Sequence, residues 1–303
     1  MLRASIDIGS NSCLLLILDV EKNDSFKVLE SHARITSLGK DLDKNKLFLE
    51  VSMNSTFDAL EEYANIVSKY AIELSEVLVT ATEASRVATN ADTFFKKVKE
   101  QIGLEITKIS GVGEAHYTAL GVSKGVKTKE QSLVIMDIGG ASTELIQVNL
   151  DEFSIEKSIS LPIGSVRATD WMNANSFDEN VAQILSSNKI SDFISEKLIC
   201  VAGTMTTLSA ILLGQESFIE SEIHGHEFTI SDLEKLLCSL KNKNAEEILQ
   251  DYPVCGKRAF SIYGGGIVAK TLCQKLKTTK IEISTFGLRY GVAIEGRIDE
   301  RFT

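Results

Sequence analysis

The chain has 303 residues, of which 42 are acidic and 32 basic, so its formal net charge is −10. Its length exceeds a typical single domain and predicts two domains of about 150 residues each. The charge argues against nucleic acid or an anionic membrane as partner, because the overall field would repel both. The five cysteines are widely spaced and form no C-x-x-C pair. This pattern argues against a disulfide framework or a zinc site, and we expect a cytoplasmic protein.

The first half opens with S-I-D-I-G-S-N-S-C-L-L-L-I-L at 5–18, which predicts two strands joined by a tight turn. Its apolar run at 14–18 is too short to span a bilayer. A third strand is predicted at 25–36, and apolar spacing predicts a helix over 52–70. The elements expected next are a strand at 77–82, a short helix carrying Arg86, a helix from residue 92 towards 103, and a strand at 105–110.

The second half opens with a related pattern, V-I-M-D-I-G-G-A-S-T-E-L-I-Q-V, at 134–148. Aligning Asp7 on Asp137 also aligns Gly9 with Gly139, at an offset of 130 residues. Strands are predicted at 132–137, 142–148 and 153–161, and helices are expected to follow from residues 163, 176 and 231. The repeat predicts a duplicated architecture in which both turns face one cleft and hold a phosphate chain.

Each turn combines glycine with small hydroxyl side chains, a composition that can present backbone N–H groups to an anion. Taken alone, either turn fits an ordinary hairpin, and the second copy favours phosphate binding. Neither turn continues into G-K-[ST], which excludes a P-loop. The candidate phosphate-binding residues are Gly9, Ser10, Asn11 and Ser12 in the first turn, and Gly139, Gly140, Ala141, Ser142 and Thr143 in the second.

Three carboxylates flank these turns: Asp7, Asp137 and Glu144. Carboxylates beside a phosphate would repel it unless a divalent cation bridged them, and oxygen ligands of this kind suit Mg²⁺. We therefore predict a Mg²⁺ site at these three residues, with Mn²⁺ as an alternative.

The paired D-x-G motifs resemble those of the actin, sugar-kinase and heat-shock-chaperone ATPase superfamily. Within it, the chain resembles the exopolyphosphatase and guanosine pentaphosphate phosphatase family over essentially its whole length. The further stretches that carry this resemblance are A-T-E-A-S-R-V-A-T-N at 81–90, I-S-G-V-G-E-A-H-Y-T-A-L-G-V at 109–122, S-L-P-I-G-S-V-R-A-T-D at 160–170, V-A-G-T-M-T-T-L-S-A-I at 201–211 and I-S-T-F-G-L-R-Y-G-V-A-I-E at 283–295.

The resemblance implies an α/β fold of two ribonuclease-H-like domains with a cleft between them. Each domain is expected to contain a mixed sheet with a three-strand meander and flanking helices. The implied domains are 1–124 and 125–287, and a C-terminal helix at 288–303 is expected to complete the first. The resemblance also allows a homodimer.

The resemblance assigns two catalytic roles. Glu114 corresponds to the general base that activates water, and Arg86 corresponds to the arginine that binds a substrate phosphate. In isolation, a glutamate in a first helical turn is more often a surface residue favoured by the helix dipole, and the surrounding motif reverses that preference. The family usually has two adjacent acids here, whereas this chain has Gly113 before Glu114. Ala141 replaces a common third glycine.

The function implied is that of a metal-dependent phosphohydrolase. Its expected substrates are inorganic polyphosphate, the alarmone guanosine pentaphosphate, or both, and it would release terminal orthophosphate. An ATP-using kinase or chaperone-like ATPase of the same superfamily is the main alternative, because D-x-G turns alone do not separate these activities. A catalytically inactive binding protein is a third possibility. The acidic and basic residues that the chain retains argue against it.

Four further patterns each leave two interpretations open. Gly203 and Thr204 fit an anion site at a helix N-terminus or a threonine N-cap. The glycines at 264–266 fit an approach to a nucleotide base or close helix packing. His224 and His226 fit a metal pair or an exposed loop. Arg167 and Arg289 fit either a substrate cleft or structural contacts between domains.

Overall fold

The structure is a computed structural model that describes residues 1–21 and 25–303. The chain divides into two compact units, one formed by Met1–Gly121 with Gly287–Thr303 and the other by Val122–Phe286. Among the described residues, no helix is long and apolar enough to cross a membrane.

The first unit contains a five-stranded mixed sheet in the order β3-β2-β1-β4-β5. Its strands β1, β2 and β3 form an antiparallel meander, and β4 and β5 run parallel to β1. The strands are β1 (Leu2–Ile8), β2 (Ser12–Val20), β3 (Phe26–Ile35), β4 (Leu78–Ala81) and β5 (Ile106–Lys108). The helices are α1 (Leu42–Asn45), α2 (Glu50–Ser68), α3 (Glu83–Val87), α4 (Ala91–Gln101), α5 (Gly111–Gly125) and α13 (Leu288–Glu295). The last turn of α5, from Val122, is assigned to the second unit.

Two helices pack on this sheet through residues at helical spacing. Helix α2 buries Leu60, Tyr63 and Val67, and the Tyr63 hydroxyl donates a 2.9 Å hydrogen bond to the Cys13 carbonyl of β2. Helix α13 returns to the same unit, where its Arg289 guanidinium donates to the Leu15 carbonyl at 2.8 Å. Arg289 is therefore a structural residue of the first unit.

The second unit contains a six-stranded mixed sheet in the order β10-β11-β9-β6-β7-β8. Strands β6, β7 and β8 form the matching antiparallel meander, and β9 and β11 run parallel to β6. The strands are β6 (Ser132–Ile138), β7 (Thr143–Asn149), β8 (Ser154–Leu161), β9 (Lys197–Val201), β10 (Glu227–Thr229) and β11 (Lys280–Ile283). The helices are α6 (Ser165–Asn173), α7 (Phe177–Ser187), α8 (Ala202–Leu212), α9 (Glu220–Ile223), α10 (Ile230–Leu240), α11 (Ala245–Asp251) and α12 (Ile262–Lys275).

The predicted α/β class, with a mixed sheet and a three-strand meander in each half, is confirmed. Several helix starts differ from the prediction by one or two residues, and that of α10 has a clear physical cause. Helix α10 has Thr229 as its N-cap: the Thr229 hydroxyl accepts the Asp232 N–H, and the Asp232 carboxylate accepts the Thr229 N–H. This reciprocal pair satisfies two backbone donors and begins the helix before residue 231.

Candidate functional site

The two glycine turns share one backbone arrangement. The N–H of Gly9 donates to the carbonyl of Ser12 at 2.9 Å, and the N–H of Gly139 donates to the carbonyl of Ser142 at 3.0 Å. The sequence repeat is therefore also a structural repeat, because each turn closes with the same hydrogen bond between corresponding residues.

Helix α6 fixes the carbonyl groups of the second turn. The Gly139 carbonyl accepts the Ser165 N–H at 2.9 Å, the Gly140 carbonyl accepts the Val166 N–H at 2.9 Å, and the Ala141 carbonyl accepts Nη1 of Arg167 at 2.5 Å. In a trans peptide, the N–H points opposite to the carbonyl of the preceding residue. The next N–H groups along the turn, those of 140–142, therefore point away from α6. Among the described residues, none of these three donates to a backbone carbonyl.

The close contact between α6 and the turn requires Gly164. A Cβ at Gly164 would lie 2.4 Å from the Gly140 carbonyl oxygen, so any side chain there would displace the turn. Arg167, which could have lined a cleft or joined domains, braces this turn within the second unit. Its guanidinium positions the backbone of Ala141.

The loop after β3 fixes the carbonyl groups of the first turn. The Asn11 carbonyl accepts the N–H groups of Thr36 and Ser37, both at 3.0 Å, and the Ser10 carbonyl accepts the Gly39 N–H at 2.7 Å. By the same peptide geometry, the N–H groups of Asn11 and Ser12 point away from this loop. Both turns thus have their carbonyls held on one side and N–H groups presented on the other, as an anion site requires.

Arg86 and Glu114 lie together in the first unit. Arg86 is on α3, which follows β4, and Glu114 is in the first turn of α5, which follows β5. These strands are adjacent and parallel, so their carboxyl ends meet at one edge of the sheet. Nη1 and Nη2 of Arg86 both lie 3.3 Å from Oε2 of Glu114, and Nη1 also donates to the Ile109 carbonyl at 2.6 Å.

The environment of this ion pair is asymmetric. The Glu114 side chain is 11% exposed, whereas the Arg86 side chain is 29% exposed. Arg86 therefore binds a carboxylate that is mostly shielded from water. Part of the Arg86 side chain itself is accessible to solvent. A charge-assisted contact in such surroundings fixes the carboxylate more firmly than an exposed pair would.

Two of the predicted metal-binding carboxylates face each other in the second unit. Asp137 on β6 pairs directly with Glu144 on β7, so their side chains lie on the same face of the sheet. Glu144 is 4% exposed and accepts a 2.7 Å hydrogen bond from the Ser160 hydroxyl. Ser160 lies opposite Glu144 in the β7–β8 pairing. The sequence analysis did not predict a role for Ser160. The alternation of side chains along β8 could have indicated that Ser160 lies on the same face of the sheet as Glu144.

Asp7, the third carboxylate, lies on β1 of the first unit. Its Oδ1 is buried and has no hydrogen-bond partner among the described residues. Burial raises the pKa of Asp7 to about 7, and the charge of Arg289 partly opposes this rise. A buried carboxylate oxygen without a donor is a chemical environment that a cation would stabilise.

Within 1–21 and 25–303, no three His, Cys, Asp or Glu residues are grouped closely enough to hold a metal ion. The structure therefore does not assemble the three predicted carboxylates into a protein-only metal site. The residues do fit Mg²⁺, which usually binds one or two carboxylates and completes its shell with water and substrate phosphates.

The remaining candidates have structural roles in the second unit. A Cβ on Gly264, Gly265 or Gly266 would lie within 2.5 Å of Thr169, Thr204 or Leu237 respectively, which supports the packing interpretation. Thr204 is not an N-cap, because α8 begins at Ala202 and its N-cap is Val201. The anion-site interpretation of this helix end remains a hypothesis.

The two histidines are half-buried, so the exposed-loop interpretation is wrong. The Nε2 of His224 lies 3.1 Å from the Gly125 carbonyl, and its ring stacks on Phe286. The Nδ1 of His226 lies 2.8 Å from the Ser209 hydroxyl. Burial lowers the pKa of His226, which favours its neutral form. Their contacts are those of packed structural histidines.

Two α/β units with matching D-x-G turns agree with the fold that the sequence resemblance predicted. The model of the Ppx/GppA phosphatase family matches residues 16–297. The chain therefore belongs to the Ppx/GppA phosphatase family, as its motifs predicted.

Individual relatives agree with this assignment. A bifunctional 3-dehydroquinate synthase/phosphatase of Fusobacterium nucleatum is 36% identical over 314 residues, which cover 97% of this chain and 46% of the relative. This chain thus spans less than half of that relative's length. Exopolyphosphatase 2 of Mycobacterium tuberculosis is 26% identical over 318 residues, covering 96% of this chain and 97% of the relative.

A solved structure of a family member also has the same fold as this chain. The crystal structure of the Aquifex aeolicus member of the Ppx/GppA family is 29% identical in sequence and superposes with a TM-score of 0.77. The match covers 97% of each chain.

Proposed function

We propose that this chain is a metal-dependent phosphohydrolase that releases terminal orthophosphate from inorganic polyphosphate, guanosine pentaphosphate or both. The observation that carries the proposal is the contact between Arg86 and Glu114, whose side chains meet at 3.3 Å. Hydrolysis of a phosphoanhydride needs a cation for the transferred phosphoryl group and a group that activates water. Arg86 would provide the cation, and Glu114 would activate the water molecule.

In the proposed reaction, Arg86 donates hydrogen bonds to the terminal phosphate, for which its planar guanidinium is suited. Glu114 accepts a proton from a water molecule, whose oxygen attacks the terminal phosphorus. The bond from that phosphorus to the bridging oxygen breaks, and the bridging oxygen stays on the shortened chain. The Arg86 contact with the Ile109 carbonyl keeps the guanidinium in place when phosphate competes with Glu114 for it.

Each glycine turn contributes neutral donors to phosphate oxygens. In the second turn, these are the N–H groups of 140–142 and the Ser142 hydroxyl. The prediction for the Thr143 side chain is wrong, because its hydroxyl is fully buried and donates to the Ile163 carbonyl. In the first, they are the N–H groups of Asn11 and Ser12 and the Ser10 hydroxyl. Backbone donors held in advance by α6 and by the loop after β3 lose little entropy when phosphate binds.

A divalent cation, Mg²⁺ or Mn²⁺, would neutralise phosphate charge beside the carboxylates when bound. Asp137 and Glu144, which share a face of the second sheet, would hold it, and Asp7 is proposed as a further carboxylate ligand on the strand before the first turn. The Ser160 hydroxyl orients the Glu144 carboxylate for that purpose.

The choice of substrate follows the relatives. Exopolyphosphatase 2 of Mycobacterium tuberculosis aligns over nearly its whole length with this chain, which favours polyphosphate. Guanosine pentaphosphate ends in the same kind of terminal phosphoanhydride, so the same residues could act on it.

Phosphate release from polyphosphate, guanosine pentaphosphate and ATP, measured side by side with Mg²⁺, tests this proposal. We expect release from at least one of the first two substrates at a kcat/KM at least about tenfold above that for ATP, because selectivity of this size requires only about 1.4 kcal/mol of differential transition-state binding. Preferential use of ATP would instead indicate a kinase or chaperone-like ATPase. An absence of release from all three would indicate a binding protein.

A further inference from the structure

We propose that residues 299–302, here called the C-terminal clasp, position Glu114 for catalysis, with Phe302 as the positioning residue. The inference rests on the proposed role of Glu114 and adds a structural element that the catalytic motifs do not contain. The proposed effect of Phe302 on Glu114 passes through the first turn of α5.

The clasp binds the residue that precedes α5. The N–H of Ser110 donates to the Phe302 carbonyl at 2.6 Å, and the carbonyl of Ser110 accepts the N–H of Glu114 at 2.9 Å. The Ser110 hydroxyl also accepts the N–H of Gly113 at 3.3 Å. Ser110 therefore joins the clasp directly to the backbone of the proposed base.

Gly113 allows the clasp to approach this closely. A Cβ at residue 113 would lie 2.6 Å from the Cβ of Phe302 and 3.1 Å from its carbonyl oxygen. The space that a side chain would need is thus filled by Phe302. This contact gives a physical reason for the glycine at the position where the family usually carries an acid.

Aromatic contacts hold the clasp in this position. The Phe302 ring centroid lies 4.7 Å from that of His116 and 5.6 Å from that of Tyr117, both on α5. The Tyr117 hydroxyl accepts the N–H of Asp299 at 2.9 Å. The clasp therefore contacts the first two turns of α5 on both sides of Glu114 in sequence.

The clasp is expected to affect the position of Glu114 rather than the folding of the first unit. A general base must lie within hydrogen-bond reach of its water, and a displacement of about 1 Å can cost on the order of 10²-fold in rate. A shift of the first turn of α5 would move Glu114 relative to Arg86, which belongs to α3.

Two matched glycine substitutions test the inference. Gly113→Ala adds a methyl group against Phe302, whereas Gly111→Ala adds the same group in the same helical turn where nothing lies within 4 Å. We expect Gly113→Ala to lower kcat by about 10- to 100-fold with KM changed less than about twofold, because the turn moves while the phosphate-binding groups do not. Gly111→Ala should retain kcat within about twofold. Phe302→Ala, which adds no atom, should lower kcat in the same direction.

Amide hydrogen exchange on the same proteins without substrate gives an independent readout. The amides of Ser110 and Glu114 should exchange faster in Gly113→Ala and Phe302→Ala than in Gly111→Ala, because their protection depends on the clasp. Equal exchange in all variants would overturn the inference. Faster exchange with unchanged kcat would also overturn it, while leaving the proposed hydrolysis intact. If the unmodified chain hydrolysed no substrate, the proposed function would fail, and exchange alone would decide whether the clasp holds α5.

Discussion

Replacement of Glu114 by glutamine is expected to lower kcat by about 10²- to 10⁴-fold, the usual contribution of a positioned general base. Glutamine has the shape of glutamate, and its carbonyl oxygen can still accept from the Arg86 guanidinium, so the contact at 3.3 Å can persist. The side chain loses its ability to take a proton from water. We therefore expect KM and the midpoint of thermal unfolding to stay near their original values, measured by steady-state phosphate release and calorimetry.

Glu100→Gln provides the control for this variant. Glu100 is an exposed glutamate on α4, and its carboxylate lies 3.8 Å from the Lys96 ammonium. Its replacement should leave kcat, KM and thermal stability unchanged. Full turnover by Glu114→Gln would contradict the assignment of the base. A loss of substrate binding in that variant would instead place Glu114 among the groups that hold the metal or the fold.

Removal of divalent cations is expected to abolish activity, and addition of Mg²⁺ or Mn²⁺ should restore it. Asp137 and Glu144 lie on one face of the second sheet, and Glu144 is almost fully buried. Without a cation, these negative charges would repel a phosphate chain at short range, where screening by salt is weak. Phosphate release before and after EDTA treatment, followed by titration of each metal, measures the effect.

Asp137→Asn and Asp151→Asn separate binding of the metal from general effects of charge. Asp151 lies in the exposed connection between β7 and β8. Mg²⁺ should raise the midpoint of thermal unfolding for the unmodified chain and for Asp151→Asn, and it should raise it less for Asp137→Asn. Full activity after complete chelation would show that the carboxylates have another role and that Arg86 carries the phosphate charge without a metal.

Local patterns in the sequence were sufficient for the two turns and their meanders. Glycine and alternating apolar residues determine a strand, a turn and a return strand over a few residues, and the hairpin register then places Asp137 opposite Glu144. The short edge strand β10 carried too weak a pattern to predict. It has three residues, of which only Phe228 is buried.

Contacts between distant segments were harder to predict. The meeting of Arg86 with Glu114 depends on the parallel pairing of β4 with β5, which the order of elements alone does not fix. The resemblance to the family supplied their roles but not their contact. The packing of Phe302 on Gly113 joins segments far apart in the chain, and a single glycine in a helix gives no signal about its partner.

The transfer of oxygen from water tests the central claim most directly. Polyphosphate is hydrolysed by the Mg²⁺-loaded chain in ¹⁸O-labelled water, and the released orthophosphate and the shortened chains are analysed by mass spectrometry. If water attacks the terminal phosphorus, each released orthophosphate carries one solvent oxygen and the shortened chains carry none. Label in the shortened chains, or orthophosphate without label, would contradict the account, because water would then attack the neighbouring phosphorus and the terminal phosphate would be the leaving group.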